Sequence, residues 1–313
     1  MIKYENLLKE TKAYKTLYQD IKNGALSHCN MIISEDSIAC NNLCLLVARA
    51  ILCEHDNCGA CKSCVDVENG VHLGLITPDA LNADGLRYLA SRCYSGVDSD
   101  SKVVLIQNFQ DIAPSEQNKL LKLLEEPIGN TTFILGVTKS SNVLETIKSR
   151  STKFIIESFR NESIMQVLKE DYDDYTAAKA VEFAEGSITK ALSIIANENL
   201  IECYDLMKLA LLNMDSSKKI LDYIAQMKLD KSETYLEALE ILVKQILERK
   251  THITKGSEDD IAKLVEKYNV ATLVNIESLV IDAKMKLDQY CNPEGVIYKL
   301  LMGILEVKYK CQQ

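Results

Sequence analysis

The sequence predicts an α/β domain built on a parallel sheet, followed by a long all-helical region. Three observations carry this. Between Lys102 and Val137 an apolar run, a helical pattern and a second apolar run follow one another within about thirty-five residues. That is the order of a βαβ unit, whose crossover is expected to be right-handed. Lys102–Gln107 is rich in Val, Leu and Ile, as a strand buried on both faces of a parallel sheet should be. From Ile155 onward the apolar residues recur at helical spacing.

Within the βαβ unit, Pro114 suits the first turn of a helix, Leu120, Leu121, Leu123 and Leu124 give it an apolar face, and Pro127 stops it. The second strand is Thr132–Val137, and the sheet is expected to end at a loop carrying Ser149-Arg150-Ser151. Upstream, Leu7, Leu8, Tyr14, Leu17, Tyr18 and Ile21 predict one or two helices closed by Asn23-Gly24, and Cys29–Ile33 reads as the first strand. Residues 68–101 read as a loop, a short strand around Leu73–Ile76, a helix near Ala83–Cys93 and a polar turn over Gly96–Ser101.

At 313 residues the chain is long enough for two or three domains, and 47% apolar with 26% charged residues is an ordinary soluble composition. The start, MIKYENLLKETKAYK, lacks the continuous apolar core of a signal peptide, and the apolar stretch Leu43–Cys53 is interrupted by Arg49. A membrane span needs about 20 apolar residues, so the expected location is the cytoplasm, with no membrane partner. Eleven cysteines in a reducing compartment read as thiols and metal ligands. With 36 basic against 45 acidic side chains the net charge is −9, opposite in sign to a protein that grips phosphates over its whole surface.

The phrases NKLLKLLEEP and FILGVTKSSNVLETIKSR resemble the nucleotide-binding domain of bacterial clamp-loader subunits, an AAA+ family, over residues 1–190 or so. In that family the first strand runs into a phosphate-binding loop, G-x-x-x-x-G-K-[ST], whose backbone N–H groups and lysine hold phosphates. Here Glu35-Asp36-Ser37-Ile38-Ala39-Cys40-Asn41-Asn42 stands in its place: both glycines are gone, Asn41 replaces the lysine, and Glu35 and Asp36 repel phosphate. After Val103–Ile106 an active family member places an acidic pair for Mg²⁺ and water; this chain has Gln107 and Asn108. The resemblance therefore implies a degenerate P-loop NTPase-like domain with no bound ATP and no intrinsic ATPase activity. Thr138 falls where the family senses the γ-phosphate, and without a nucleotide it reads as a solvent-facing strand end.

Cys53, Cys58, Cys61 and Cys64, in CEHDNCGACKSC, form the strongest metal signal. Four thiolates complete a tetrahedral Zn²⁺ shell, C-x-x-C turns present two sulfurs to one ion, and Gly59 relieves the tight turn. Clamp-loader relatives resemble this in carrying a four-cysteine zinc module after the corresponding helix. Only four residues separate Cys53 from Cys58, so His55 remains the substitute ligand for Cys53. A closed thiolate shell leaves no position for water and is structural, and no H-x-E precedes P-C-x-x-C as in zinc deaminases.

The resemblance assigns Arg150 as an arginine finger acting in trans, reaching from this chain to ATP on the neighbouring subunit, where a planar guanidinium matches phosphate oxygens. Ser151 stands where the family has cysteine. Beyond it, Phe159-Arg160-Asn161-Glu162 opens a helix running to about Lys169, Tyr175–Glu185 forms another, and Ser187–Asn197 completes what resembles the family's three-helix lid, with Lys190 where an arginine is common. Residues 200–313 hold amphipathic helices, for example Tyr235–Lys250 with Leu236, Leu239, Leu242, Val243, Ile246 and Leu247, a break at Thr254–Glu258, and Pro293 in the first turn of the last helix. Leu300, Leu301, Ile304 and Leu305 serve either the core or a contact in an oligomeric collar.

The expected organisation is a degenerate AAA+ domain over 1–157, a lid over 158–200 and a collar domain over 201–313. The implied role is that of a non-hydrolysing subunit among tau/gamma motor and delta subunits, reaching the sliding clamp indirectly and primed DNA through the complex. The alternatives are an ATP-hydrolysing motor subunit, or a free-standing zinc-dependent DNA-binding or regulatory module.

Overall fold

Parallel pairing organises the first half of the chain. The computed structural model describes residues 2–78, 82–94, 101–125, 129–197, 199–251 and 260–310. Two short helices, α1 (Glu5–Glu10) and α2 (Lys12–Lys22), lead into β1 (Cys29–Ile33), α3 (Ser37–Leu52) and α4 (Lys62–Glu68). Then come β2 (Leu75–Ile76), α5 (Ala83–Tyr94), β3 (Lys102–Ile106), α6 (Pro114–Glu125), β4 (Thr131–Val137), α7 (Glu145–Lys148) and β5 (Thr152–Ile155). The strand order is β2-β3-β4-β1-β5, every pairing parallel.

Successive strand residues point to opposite faces, and each face has its own core. Val103, Leu105 and Ile134 pack with Leu17 of α2 and Leu43, Leu46 and Val47 of α3. Val104, Ile106, Phe133 and Leu135 pack on the other side with Leu89 of α5 and Leu120 and Leu124 of α6. The expected βαβ unit is therefore present, with helices on both faces of the sheet.

One expectation is corrected. The sheet does not end at Ser149-Arg150-Ser151: β5 follows at once and pairs with β1. Only Phe154 of this strand is buried, so the usual apolar run is missing. The stop at Pro127, most of the Gly96–Ser101 turn and the break at Thr254–Glu258 lie outside the described residues.

Three further helices follow the sheet: α8 (Asn161–Leu168), α9 (Asp174–Ala184) and α10 (Ile188–Ala196). Glu185 and Gly186 make the turn between α9 and α10 with φ of 52° and 80°. A Cβ on Gly186 would lie 2.6 Å from the Phe159 carbonyl oxygen, and the Phe159 N–H donates to the Gly186 carbonyl at 2.8 Å. Only glycine fits this close approach, and it fixes where α10 begins.

The chain divides into two compact units, Met1–Leu192 and Ser193–Gln313. The second holds α11 (Leu200–Asn213), α12 (Ser217–Ile224), α13 (Ser232–Thr251), α14 (Asp260–Lys267), α15 (Val270–Asp288) and α16 (Pro293–Lys310). Leu236, Leu239, Leu242, Val243 and Ile246 line the buried face of α13, which packs on α11, α14 and α15. Leu300, Leu301, Ile304 and Leu305 of α16 are buried inside this unit, so they belong to its core. Among the described residues no helix is long and apolar enough to cross a membrane.

Asp215, between α11 and α12, gathers Lys308 at 3.1 Å, Lys219 at 3.1 Å and Lys267 at 3.5 Å. Its bonds to Lys308 and Lys219 hold its carboxyl well below the usual 3.8. A depressed carboxyl contributes stability that is complete above its unfolded value and is lost as pH falls through its folded value. Asp215→Asn should therefore lower the melting temperature at neutral pH, and the gap from the parent should narrow progressively as pH falls below about 4. Thermal unfolding followed by circular dichroism across that range checks this; a gap independent of pH would refute it.

Candidate functional site

Ligands of open α/β sheets bind at the carboxyl ends of the strands, where the strand order switches direction. Here that place lies between β1 and β4, whose ends are level: Ile33 pairs with Val137. Only Ser34, Glu35 and Asp36 connect β1 to α3, with no glycine among them. Asp36 caps α3, its Oδ1 accepting the Ala39 N–H at 2.9 Å. The same carboxylate accepts the backbone N–H groups of Ile188 at 2.5 Å and Thr189 at 3.3 Å, and the hydroxyls of Ser187 at 3.1 Å and Thr189 at 2.6 Å. Asp36 is only 6% exposed, whereas Glu35 faces solvent.

The other residues at positions expected of a nucleotide site bond within the chain. The Gln107 amide donates to the Asn41 carbonyl at 3.1 Å, Asn108 adopts a left-handed backbone, and the half-buried Thr138 donates its N–H to Gln110 at 2.9 Å. Lys190 pairs with Glu185 at 2.8 Å. The sequence suggested only repulsion at Asp36. Its partners lie some 150 positions away, and no local signal announces them.

The four thiols form a second centre. Cys53 ends α3 and Cys61 caps α4, and between them Asp56, Asn57 and Gly59 take left-handed conformations with φ of 58°, 56° and 73°. All four Sγ atoms lie within 4.8 Å of one another: Cys53 is 4.0 Å from Cys58 and 3.8 Å from Cys61, and Cys58 is 4.0 Å from Cys64. A tetrahedral shell with Zn–S bonds of about 2.3 Å requires sulfurs about 3.8 Å apart, so these residues fit one such ion. Backbone N–H groups already face the sulfurs: His55 to Cys53 at 3.3 Å, Cys61 to Cys58 at 3.4 Å, Cys64 to Cys61 at 3.5 Å. The N–H groups of Ala60 and Cys61 draw the Cys58 thiol down to about 6. The structure thus brings Cys53 into the cluster, while His55 contributes its backbone N–H.

Arg49 supports this knuckle from behind and is 1% exposed. Its Nε donates to Asn57 at 2.7 Å, Nη1 to Glu68 at 2.5 Å and Nη2 to Glu5 at 2.6 Å. Burial raises the Glu5 carboxyl, but the bonds from Arg49 and Lys9 outweigh it and hold the group below its ordinary value. The one charge in the apolar run Leu43–Cys53 was the signal of this role.

Arg150 sits on the turn between α7 and β5. The Ser151 hydroxyl donates to the Ile147 carbonyl at 2.8 Å and lies 3.1 Å from Cys29 Sγ on β1, which fixes the turn to the sheet. Buried Gln117 of α6 ties down the approach, donating to Ile112 and Asn142 and accepting the Leu144 N–H at 3.0 Å. The Arg150 side chain is half-buried, donating Nη1 to the Thr146 carbonyl at 3.0 Å and pairing Nη2 with Glu125 at 2.5 Å.

The parallel sheet, the polar groups that meet at its carboxyl edge and the thiol knuckle define an α/β protein with helices on both faces of a five-stranded sheet. Residues 9–160 match the family described as "DNA polymerase III, delta subunit". Among curated proteins, the DNA polymerase III subunit gamma of Buchnera aphidicola (Acyrthosiphon pisum strain) is 26% identical over 61% of this chain and 57% of its own length. The subunit of that name from the Schizaphis graminum strain is 23% identical over 97% of this chain and 96% of its own. The DNA polymerase III subunit delta' of Bacillus subtilis is 24% identical over 62% of this chain and 61% of its own. The chain thus spans less than two thirds of the first and third of these relatives. A solved DNA polymerase III gamma subunit-related protein from Thermotoga maritima aligns over 94% of this chain and 99% of its own at 16% identity, with a TM-score of 0.43. Over residues 9–160 the chain is thus similar to the clamp-loader AAA+ family.

Replacing Arg49 by Ala removes one bonded partner from each of Glu5, Asn57 and Glu68 at once and should cost about 3 kcal/mol of stability. Arg49→Lys should recover only part of it, because an ammonium cannot serve three directions as a planar fork does. Urea unfolding of the variants measures both, and an Arg49→Ala variant as stable as the parent would remove this support role.

Proposed function

We propose that this chain is a delta-prime-type subunit of a DNA polymerase III clamp loader: it hydrolyses no ATP itself, supplies Arg150 to ATP on a neighbouring motor subunit, and helps load a sliding clamp on primed DNA. The observation that carries the reading is Asp36. A buried carboxylate lies in the crevice where a nucleotide phosphate would need backbone donors, and those donors are already bonded to it. Asn41, Gln107 and Asn108 supply neither the lysine nor the carboxylates that phosphoryl transfer uses.

In this reading residues 1–157 form the degenerate AAA+ domain, 158–200 the lid and 201–313 a collar joining tau/gamma-type motor and delta subunits in the cytoplasm. Cys53, Cys58, Cys61 and Cys64 hold one structural Zn²⁺, which when bound fixes the knuckle; its four thiolates leave no position for a reacting water. Arg150 has the chemistry for a role in trans, since its present partner is a surface carboxylate that a phosphate oxygen can replace.

The gamma subunits among the relatives raise a second reading, an ATP-hydrolysing motor. It requires Mg-ATP binding by the isolated chain, and equilibrium binding of a fluorescent ATP analogue decides between the two. In a reconstituted loader, Arg150→Ala should leave assembly intact and lower clamp- and DNA-stimulated ATP turnover by about tenfold or more; unchanged turnover in an intact ring would refute the finger. Elemental analysis should find one zinc per chain, and Cys58→Ser should lower its retention against a chelator. A parent protein without zinc would refute the metal assignment.

A further inference from the structure

Two helix N-termini converge on Asp36. Helix α3 offers the Ala39 N–H, and α10 offers those of Ile188 and Thr189. Each helix start carries partial positive charge and unbonded donors, the usual setting for a bound anion. Ser187 and Thr189 add hydroxyls to the same carboxylate, and the Thr189 hydroxyl oxygen also accepts the Ile38 N–H at 3.0 Å and lies 3.3 Å from the Ser37 hydroxyl. The join is thus knitted in both directions: Asp36 and Ile38 reach across to α10, and Thr189 reaches back to α3.

We infer that Asp36 is a resident anion, a side chain serving as the ligand that latches α10 onto the carboxyl edge of the sheet. A carboxylate with two oxygens and about four lone-pair sites satisfies donors from both helices as a phosphate group would, but it is covalently part of β1–α3 and never dissociates. The α10 end of the lid is then held in one place in the absence of nucleotide and does not respond to nucleotide. Gly186 supports the arrangement, since its contact with Phe159 leaves the start of α10 little room to shift. The inference rests on the non-hydrolysing reading and explains how such a subunit keeps its shape.

Amide hydrogen exchange on the full chain tests it. In Asp36→Ala the amides of residues 187–191 should exchange about tenfold or more faster than in the parent, because both caps are removed together. Inorganic phosphate at saturating concentration should slow them again by filling the vacated donors, and should leave the parent unchanged. Exchange equal to the parent's, or fast exchange that phosphate does not slow, overturns the latch. Should Asp36→Ala unfold globally, Thr189→Val decides: it removes the one hydroxyl that both donates to Asp36 and accepts the Ile38 N–H, and should speed the same amides severalfold, and unchanged exchange overturns the proposal. Mg-ATP binding by the unmodified chain would overturn the non-hydrolysing reading instead, so the two failures are told apart.

Discussion

The parallel pairing of β1 between β4 and β5 is the constraint from which the rest follows. Parallel neighbours cannot be joined by a tight turn, so each connection crosses a face of the sheet and covers it. All strands then present their carboxyl ends at one edge. Ser34–Asp36, Gln107 with Asn108, and Thr138 meet there because topology leaves them nowhere else. In the proposed non-hydrolysing reading, a chain without the residues for phosphate chemistry still assembles the crevice and fills it with its own polar groups.

Helix α3 links that crevice to the thiol knuckle. With 16 residues it is about 24 Å long, with Asp36 at its start and Arg49 in its last turn. Both charges are buried, and a buried charge is tolerated only when its bonds replace those of water. Asp36 meets its need with donors from two helices, and Arg49 with oxygens from α1, α4 and the loop between Cys53 and Cys61. The two ends differ in what they gather: one binds a distant part of the chain, the other stiffens a local loop.

What could be read in the sequence follows the range of the interactions. Strands β1, β3 and β4 showed as apolar runs because they are buried on both faces, and α6 showed through Pro114 and its leucines. The edge strand β5 did not, since Thr152, Lys153 and Ile155 stay exposed and only Phe154 turns inward. The four cysteines were legible from spacing, but the choice of Cys53 over His55 needed geometry, because both lie within reach of the turn. Asp36 looked merely acidic: its donors at 187–189 come from another helix, and composition at one site cannot reveal a partner so distant. Ser151, which stands where the family has cysteine, is the hydroxyl that anchors the arginine turn to β1.

That anchoring separates two kinds of motion. The backbone around Arg150 is tied to α7 and β1 through Ser151, and through Gln117 to the approach before it, whereas the guanidinium itself is held on one side by a half-exposed ion pair of the kind worth about 1 kcal/mol or less. The result is an arm on a fixed shoulder. In the proposed role in trans, little ordering entropy remains to be lost on meeting an anion, since only a few side-chain torsions are still to be set. The space the tip must explore is confined to the reach of one side chain, which raises its local concentration at any surface that docks against the turn.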